Sequence, residues 1–503
     1  MSRTDLEPAP PAAPTSAPQT PTVERTLTTS GLVGLLLGGT LSTYTFGSMN
    51  DALPVIGREL GASGGTLSLL LGGFACGFAA VLIIAGRLGD RYGRRLLFRI
   101  GIAAFAVTSV AAGFATGIEQ LVVLRVLQGV AAGVFMPQVL STIQATTTGA
   151  ARIRAVSAYA AVLGFGTGIG QVLAGALIGL DLGGTSWRPV LWFGAVLAGG
   201  VLIITERVPQ TRSDQPAAAD LPGTVMMAGF LAALVFALSM GPSLGWPVWS
   251  VIMILGAVLL AVIFYRHELR AESRGRIPLA PPSILRIPVL RVGLIMALIF
   301  FVGYGGLMNV CALMTQAGAE VGGLGQSAMM SGITVLPFVV AYVIASMLVG
   351  RIVRRVGDRI MIIGGVLQGI GLVTMAGVAL YLGSGGQLGN PGAGPDPVIT
   401  ALAIQLPFMI TGAAQAIMFG PMMQTVMSQV PLTAAGLSGG LVNTVQQTGF
   451  GLGVAVVGSA YHWIAQGHGA VVGFAGGALV DAAAAVIFVV LALRLRRRAL
   501  ATT

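Results

Sequence analysis

The sequence predicts an all-α membrane protein with fourteen spanning helices, arranged as two related six-helix halves with two helices inserted between them. Three observations carry this reading. The 503 residues are 55% hydrophobic and only 9% charged, whereas a soluble domain carries roughly a quarter charged residues. Fourteen mostly apolar segments occur along the chain, each close to the roughly 20 residues that a spanning helix needs. A charged loop, Gly86-Arg87-Leu88-Gly89-Asp90-Arg91-Tyr92-Gly93-Arg94-Arg95, returns 264 positions later as Gly350-Arg351-Ile352-Val353-Arg354-Arg355-Val356-Gly357-Asp358-Arg359. Each copy stands between two apolar runs, and such a pair marks two repeated membrane halves.

Residues 1–27 are rich in Pro, Ala and Thr and lack an apolar core, so they read as a disordered tail without the features of a signal peptide. The first half, 28–210, holds spans near 31–51, 66–85, 96–116, 120–144, 155–179 and 188–205. The insertion, 211–287, is entered at Asp220-Leu221-Pro222-Gly223 and holds spans near 223–241 and 247–265 before the Arg-rich loop 266–291. The second half, 288–495, holds spans near 288–316, 327–349, 360–382, 398–427, 434–462 and 469–493, and residues 496–503 form a tail. Pro and Gly inside several spans are tolerated because neighbouring helices re-satisfy the freed backbone groups. The 74 glycines argue for close helix packing, since small residues let membrane helices approach. The Gly/Pro-rich stretch 383–397 reads as the longest loop on the outer side.

All 28 basic residues are Arg. With fourteen spans and both termini in the cytoplasm, 25 of them fall in the tails and inner loops, two (Arg58 and Arg188) outside, and Arg125 within a span. This is the positive-inside distribution, and it accounts for the net charge of +11 without a nucleic-acid partner. The chain is therefore expected in the cell membrane, surrounded by lipid, working as a monomer. Cys76 and Cys311 both lie in apolar spans and read as small core residues. The three histidines, His267, His462 and His468, stand at no ligand spacing with another donor, so no metal and no cofactor are expected.

The loop 86–95 resembles the signature loop between helices two and three of the major facilitator superfamily, matching at Gly86, Leu88, Asp90, Arg91, Gly93, Arg94 and Arg95. Arg125-Val126-Leu127-Gln128-Gly129 followed by Pro137-Gln138 resembles its fourth-helix motif, and Ser186-Trp187-Arg188 the entry to helix six. Asp220 and Gly223 with Trp246 resemble the inserted hairpin of the fourteen-helix drug:proton antiporter branch, and Gly436-Leu437-Ser438-Gly439-Gly440 with Asn443-Thr444 the penultimate helix. The chain departs from that branch at three places. Thr45 stands where the first helix usually has an Asp, Gly164 to Gln171 replace a Gly-Pro motif in helix five, and Gln446 replaces a basic residue.

The resemblance implies a secondary transporter, not an enzyme, that exports small amphipathic or hydrophobic molecules such as drugs by alternating access, with protons as the coupling ion. Two alternatives stand beside it: a carrier of lipid or an endogenous metabolite with other coupling or none, and a non-transporting receptor or scaffold. No Gly-x-x-x-x-Gly-Lys-Ser/Thr loop exists in a chain without Lys, which excludes nucleotide hydrolysis through that motif.

Gly86, Asp90, Arg91, Gly93, Arg94 and Arg95 form the candidate latch. Asp90 either docks on the positive start of the helix beginning near Thr433 or belongs to a solvated loop that only sets topology. Asp51, Arg125 and Asp481 are the candidates for proton coupling, because an ionisable residue inside a membrane is a functional hypothesis by default. Asp51 and Arg125 read as a charge pair at the outer ends of spans one and four, or else as a water-facing acid and a snorkelling Arg. Gln128, Gln171, Asn309, Gln316, Gln415 and Asn443 are the candidate cavity residues, among polar groups that otherwise join helices. Met308, Met314, Met418, Met422 and Met423 offer either an adaptable apolar surface or ordinary packing.

Overall fold

The computed structural model describes residues 27–501 except 63, 213–219, 242–243, 277, 279–281, 286, 358, 384–396 and 429–434. Fourteen long helices follow one another among the described residues: α1 (Thr29–Leu60), α2 (Gly64–Tyr92), α3 (Arg94–Gly113), α4 (Ile118–Thr146), α5 (Gly149–Gly179), α6 (Arg188–Ile204) and α7 (Leu221–Met240). They continue as α8 (Val248–Ser273), α9 (Pro288–Gln316), α10 (Ala328–Val356), α11 (Arg359–Gly383), α12 (Pro397–Ser428), α13 (Ala435–His468) and α14 (Ala470–Ala501). Eleven of these are long and apolar enough to cross a membrane on composition alone, and α5 joins them as a pair of segments bent by 46°. The remaining two, α1 and α13, bury several polar side chains. Thr43, Thr45, Ser48, Asn50 and Asp51 on α1, and Gln446 and Gln447 on α13, are all buried.

Several helices run past their expected spans, α1 by nine residues and α2, α8, α10, α13 and α14 by six to eight. α1 runs nine residues past position 51, through Pro54, to a left-handed Gly61 cap. Asp51 is therefore not at a helix end. Proline at position 54 does not stop the helix because neighbouring elements can serve the freed backbone groups of a packed membrane helix. α5 bends where Gly164 and Gly166 separate its two segments, so glycine supplies the kink that a Gly-Pro motif would otherwise give.

The two halves repeat one another in their contacts. α1 packs on α5, α2 on α4, and α3 on α4 and α6; correspondingly α9 packs on α13, α10 on α12, and α11 on α12 and α14. A shared detail explains the glycines. A Cβ at Gly129 of α4 would sit 2.1 Å from the Phe74 carbonyl oxygen of α2, and one at Gly412 of α12 would sit 2.4 Å from that of Phe338 in α10. Phe74 and Phe338 are 264 positions apart, the same offset as the two charged loops. The halves join through α2 with α13 and α5 with α10, again a symmetric pair. Phe46 of α1 stacks on Phe450 of α13 at 4.3 Å between ring centres, and Phe301 and Tyr304 of α9 close the same cluster. α7 lies on α2, and α8 lies on α7 with only 11% of its span buried, an apolar outer surface suited to lipid.

Candidate functional site

The signature loop is a clamp within its own half. Gly93 sits at φ 109 between α2 and α3, a backbone conformation that favours glycine, and a Cβ there would meet Gln210 Nε2 at 1.9 Å. That turn lets the Arg94 N–H donate to the Thr211 carbonyl at 3.0 Å. The Arg94 side chain donates to Asp90 Oδ1 through Nη2 at 2.7 Å and Nε at 3.1 Å, and to the Ser141 carbonyl of α4 at 3.2 Å. Arg95 reaches the carbonyls of Glu206 and Val208, and Arg99 pairs with Glu206 at 2.6 Å. Arg91 lies over the Tyr92 ring, and Gly86 is in ordinary contact with Pro137 of α4. Asp90 is thus held by Arg94. The helix start near Thr433 that would receive a latch lies outside the described residues.

At the Arg-poor face, Asp51 joins the two halves. It is fully buried. Ser331 Oγ at the start of α10 donates to its Oδ1 at 2.8 Å. Gln316 Nε2 at the end of α9 donates to its backbone carbonyl at 3.0 Å and lies 3.4 Å from Oδ1. Gln171 of α5 also faces the carboxyl, and its Nε2 donates to the Met308 carbonyl of α9 at 3.3 Å. Asp51 Oδ2, Gln171 Oε1 and Gln316 Oε1 receive no hydrogen bond. An ionised carboxylate leaves all three oxygens as acceptors without donors. A protonated carboxyl instead has a hydrogen to donate.

The expected Asp51–Arg125 pair does not form, and none of the ion pairs among the described residues includes either side chain. Arg125 is fully buried but points into its own half. Its Nε donates to the Leu70 carbonyl of α2 at 3.0 Å, its Nη1 to Gln128 Oε1 at 2.5 Å, and its guanidinium lies 4.6 Å from the centre of the Phe74 ring. Gln128 passes the network on to Ser109 of α3 at 2.6 Å. Three helices are thereby tied by one cation, with a ring face supplying part of the charge compensation. Gln128 is accordingly a strut between helices.

Of the six cavity candidates, Gln316 stands on the wall of a cavity among the described residues. This cavity, about 710 Å³, is formed at the Arg-poor ends of α1, α9 and α13 and the start of α10, with Pro54, Arg58, Gln326, Tyr461 and His462 also on its wall. Gln171 sits between α5 and α9, and Asn309 is buried near Gly458 of α13. Gln415 is buried with Asp481 and Gln368 inside the second half. The Asn443 side chain lies outside the described ones. The five Met residues are all buried in the core of the second half.

A family model described as Major Facilitator Superfamily matches residues 35–222. A Streptomyces coelicolor protein named "Probable actinorhodin transporter" is 30% identical over 435 residues, which cover 85% of this chain and 72% of that one. The chain belongs to the major facilitator superfamily. Another superfamily relative by sequence, "Puromycin resistance protein pur8" of Streptomyces alboniger, is also 30% identical, over 85% of this chain and 80% of its own. The crystal structure of a POT peptide transporter in complex with sulfate shares the fold, with TM-score 0.64 and 17% identity over 96% of this chain and 97% of that one. Membership makes the protein a membrane transporter of small molecules and not an enzyme.

This superfamily chain also holds a cluster that the spacing of its residues conceals. Asp220 caps α7, accepting from the Gly223 N–H at 3.0 Å, and meets His267 Nε2 of α8 at 3.1 Å. Glu268 joins them, so that one ligand atom from each residue lies within 4.8 Å of the others. The set could hold a divalent cation, contrary to the expectation from spacing, because the hairpin brings together positions 47 residues apart. Burial opposes ionisation of Asp220, but the Gly223 N–H, His267 and Glu268 outweigh it and hold the carboxyl below its ordinary value. Arg87 of the signature loop donates to the Pro278 carbonyl and feels the charges of Glu268 and Asp220, linking the loop to the insertion.

Proposed function

We propose that the protein exports amphipathic small molecules of antibiotic type across the plasma membrane by alternating access, exchanging them for protons at Asp51. In this reading the Arg-rich face and both termini are cytoplasmic, and a monomer suffices because one chain supplies both halves. The substrate class rests on the relatives named for actinorhodin transport and puromycin resistance.

One observation carries the coupling: a buried acid of the first half is bonded to Gln316 and Ser331 of the second, and Gln316 also lines the outer cavity. Gln316 thus touches both Asp51 and the cavity wall. Protonation from outside gives Oδ2 a hydrogen to donate to Gln316 of the second half, tightening the contact between halves at the outer end. The protonated carrier therefore favours the form open to the cytoplasm, where the proton leaves and substrate enters. Loss of the proton leaves a buried carboxylate without a cation, which favours parting of the outer ends and hydration. The sign is that of proton-in, substrate-out exchange. Arg125 holds α2, α3 and α4 together as one body during this motion, and Asp90, fixed by Arg94, is the candidate latch on the start of α13.

The test is uptake of puromycin into inside-out membrane vesicles carrying the protein. Uptake should rise when the vesicle interior is made acidic, and collapse when the pH gradient is dissipated. Uptake indifferent to the gradient would reject proton exchange, and no uptake of puromycin or similar amphiphiles would reject the substrate class.

A further inference from the structure

A second buried acid lies far from the junction between the halves. Asp481 of α14 is 3% exposed and packs flat on α9 at Gly303, where a Cβ would stand 1.9 Å from its Oδ1. Gln368 of α11 reaches its carboxyl, and Gln415 of α12 stands on the same small cavity of about 10 Å³. Asp481 Oδ2, Gln368 Oε1 and Gln415 Oε1 are all buried and receive no hydrogen bond. The other walls are apolar, Phe300, Met418 and Phe488 among them, and no Arg or His lines the cavity.

Asp481, Gln368 and Gln415 line one space for a water-sized occupant, and each carries a buried acceptor oxygen with no donor; together these specify what fits. A water brings two hydrogens to three acceptors and leaves the charge uncancelled, and a proton on Asp481 supplies one hydrogen and leaves one amide oxygen without a donor. A divalent cation leaves a net positive charge among apolar walls, which is costly. A dehydrated monovalent cation satisfies all three oxygens and cancels the carboxylate, and carboxylate and amide oxygens are the donors that hard cations prefer. We propose that Asp481, Gln368 and Gln415 form a binding site for one sodium ion, which fastens α9, α11, α12 and α14 into a single body. The site is independent of Asp51 and carries no claim about the exported substrate.

Equilibrium binding of radioactive sodium to the purified full chain in detergent tests this. One saturable site per chain is expected, little displaced by the bulky choline and displaced as acid protonates Asp481, since no other ionisable group lines the cavity. Asp481→Asn should lose the site, Gly303→Ala should weaken it by crowding the carboxyl, and Asp51→Asn should bind sodium as the wild type does. Absence of saturable sodium binding to the wild type overturns the proposal, whatever the variants do. Full binding by a folded Asp481→Asn protein also overturns it.

Discussion

Replacing Gly129 or Gly412 by Ala should destabilise the protein through a single methyl group in each half. The new Cβ would lie 2.1 Å from the Phe74 carbonyl oxygen in the first case and 2.4 Å from that of Phe338 in the second, where ordinary contact begins at 3.4 Å. Each helix pair must therefore part by roughly 1 Å, in an interior packed too densely to absorb the shift freely. Overpacking of this kind costs about 1–3 kcal/mol. Gly200 of α6 is the control, because a Cβ there meets nothing within 4 Å and Ala in a helix gains about 0.5–1 kcal/mol over Gly. The same gain applies at Gly129, so Gly129→Ala and Gly200→Ala should differ by the overpacking cost, about 1–3 kcal/mol. Thermal unfolding of the purified protein in detergent, followed by tryptophan fluorescence, reads the difference. If Gly129→Ala and Gly412→Ala melt with or above Gly200→Ala, the close backbone contacts are wrong. If only one of them is destabilised, the contact is not a repeated feature of the two halves.

Arg125→Lys should cost about 2–3 kcal/mol, since an ammonium cannot serve the Leu70 carbonyl and Gln128 together, while flux per folded molecule persists because Arg125 does not touch Asp51; an unchanged melting temperature would refute the three-helix network. The low-lying Asp220 carboxyl contributes to hairpin docking above its unfolded-state value and loses that contribution as pH falls through its folded one. Hydrogen exchange of residues 266–276 should therefore rise below about pH 4, and Asp220→Asn should show fast exchange already at neutral pH; no acid transition in the wild type would contradict the cap. Single cysteines placed in 87–99 or 266–291 should resist an impermeant thiol reagent in intact cells, and those in 384–394 should react; the reverse pattern would invert the proposed topology.

The helical architecture was legible because apolar runs and Arg clusters alternate with so few exceptions. The repeat was legible too, since Gly86 and Gly350 carry the same offset that places Phe74 and Phe338 in matching contacts. α1 was read short because Pro54 ends an apolar run without ending the helix. Charge alone suggested that Asp51 and Arg125 would meet, but sequence gives no rotation of one helix against another. The acid turns to neutral Ser331 and Gln316, 280 and 265 residues away, which carry no mark of opposite charge. Gln128 was within reach of inference, because it lies three residues after Arg125 on the same helical face. The Asp220–His267 contact needed the hairpin to be folded before its members became neighbours.

The central claim is that Asp51 carries the exchanged proton, and the most direct measurement compares two kinds of puromycin flux in proteoliposomes. Asp51→Asn keeps the shape of the side chain but cannot titrate. The account predicts that the variant loses flux driven by a pH gradient while retaining counterflow exchange of labelled for unlabelled substrate, which needs no net proton movement. Full gradient-driven flux in Asp51→Asn would contradict the account and move the coupling to another group.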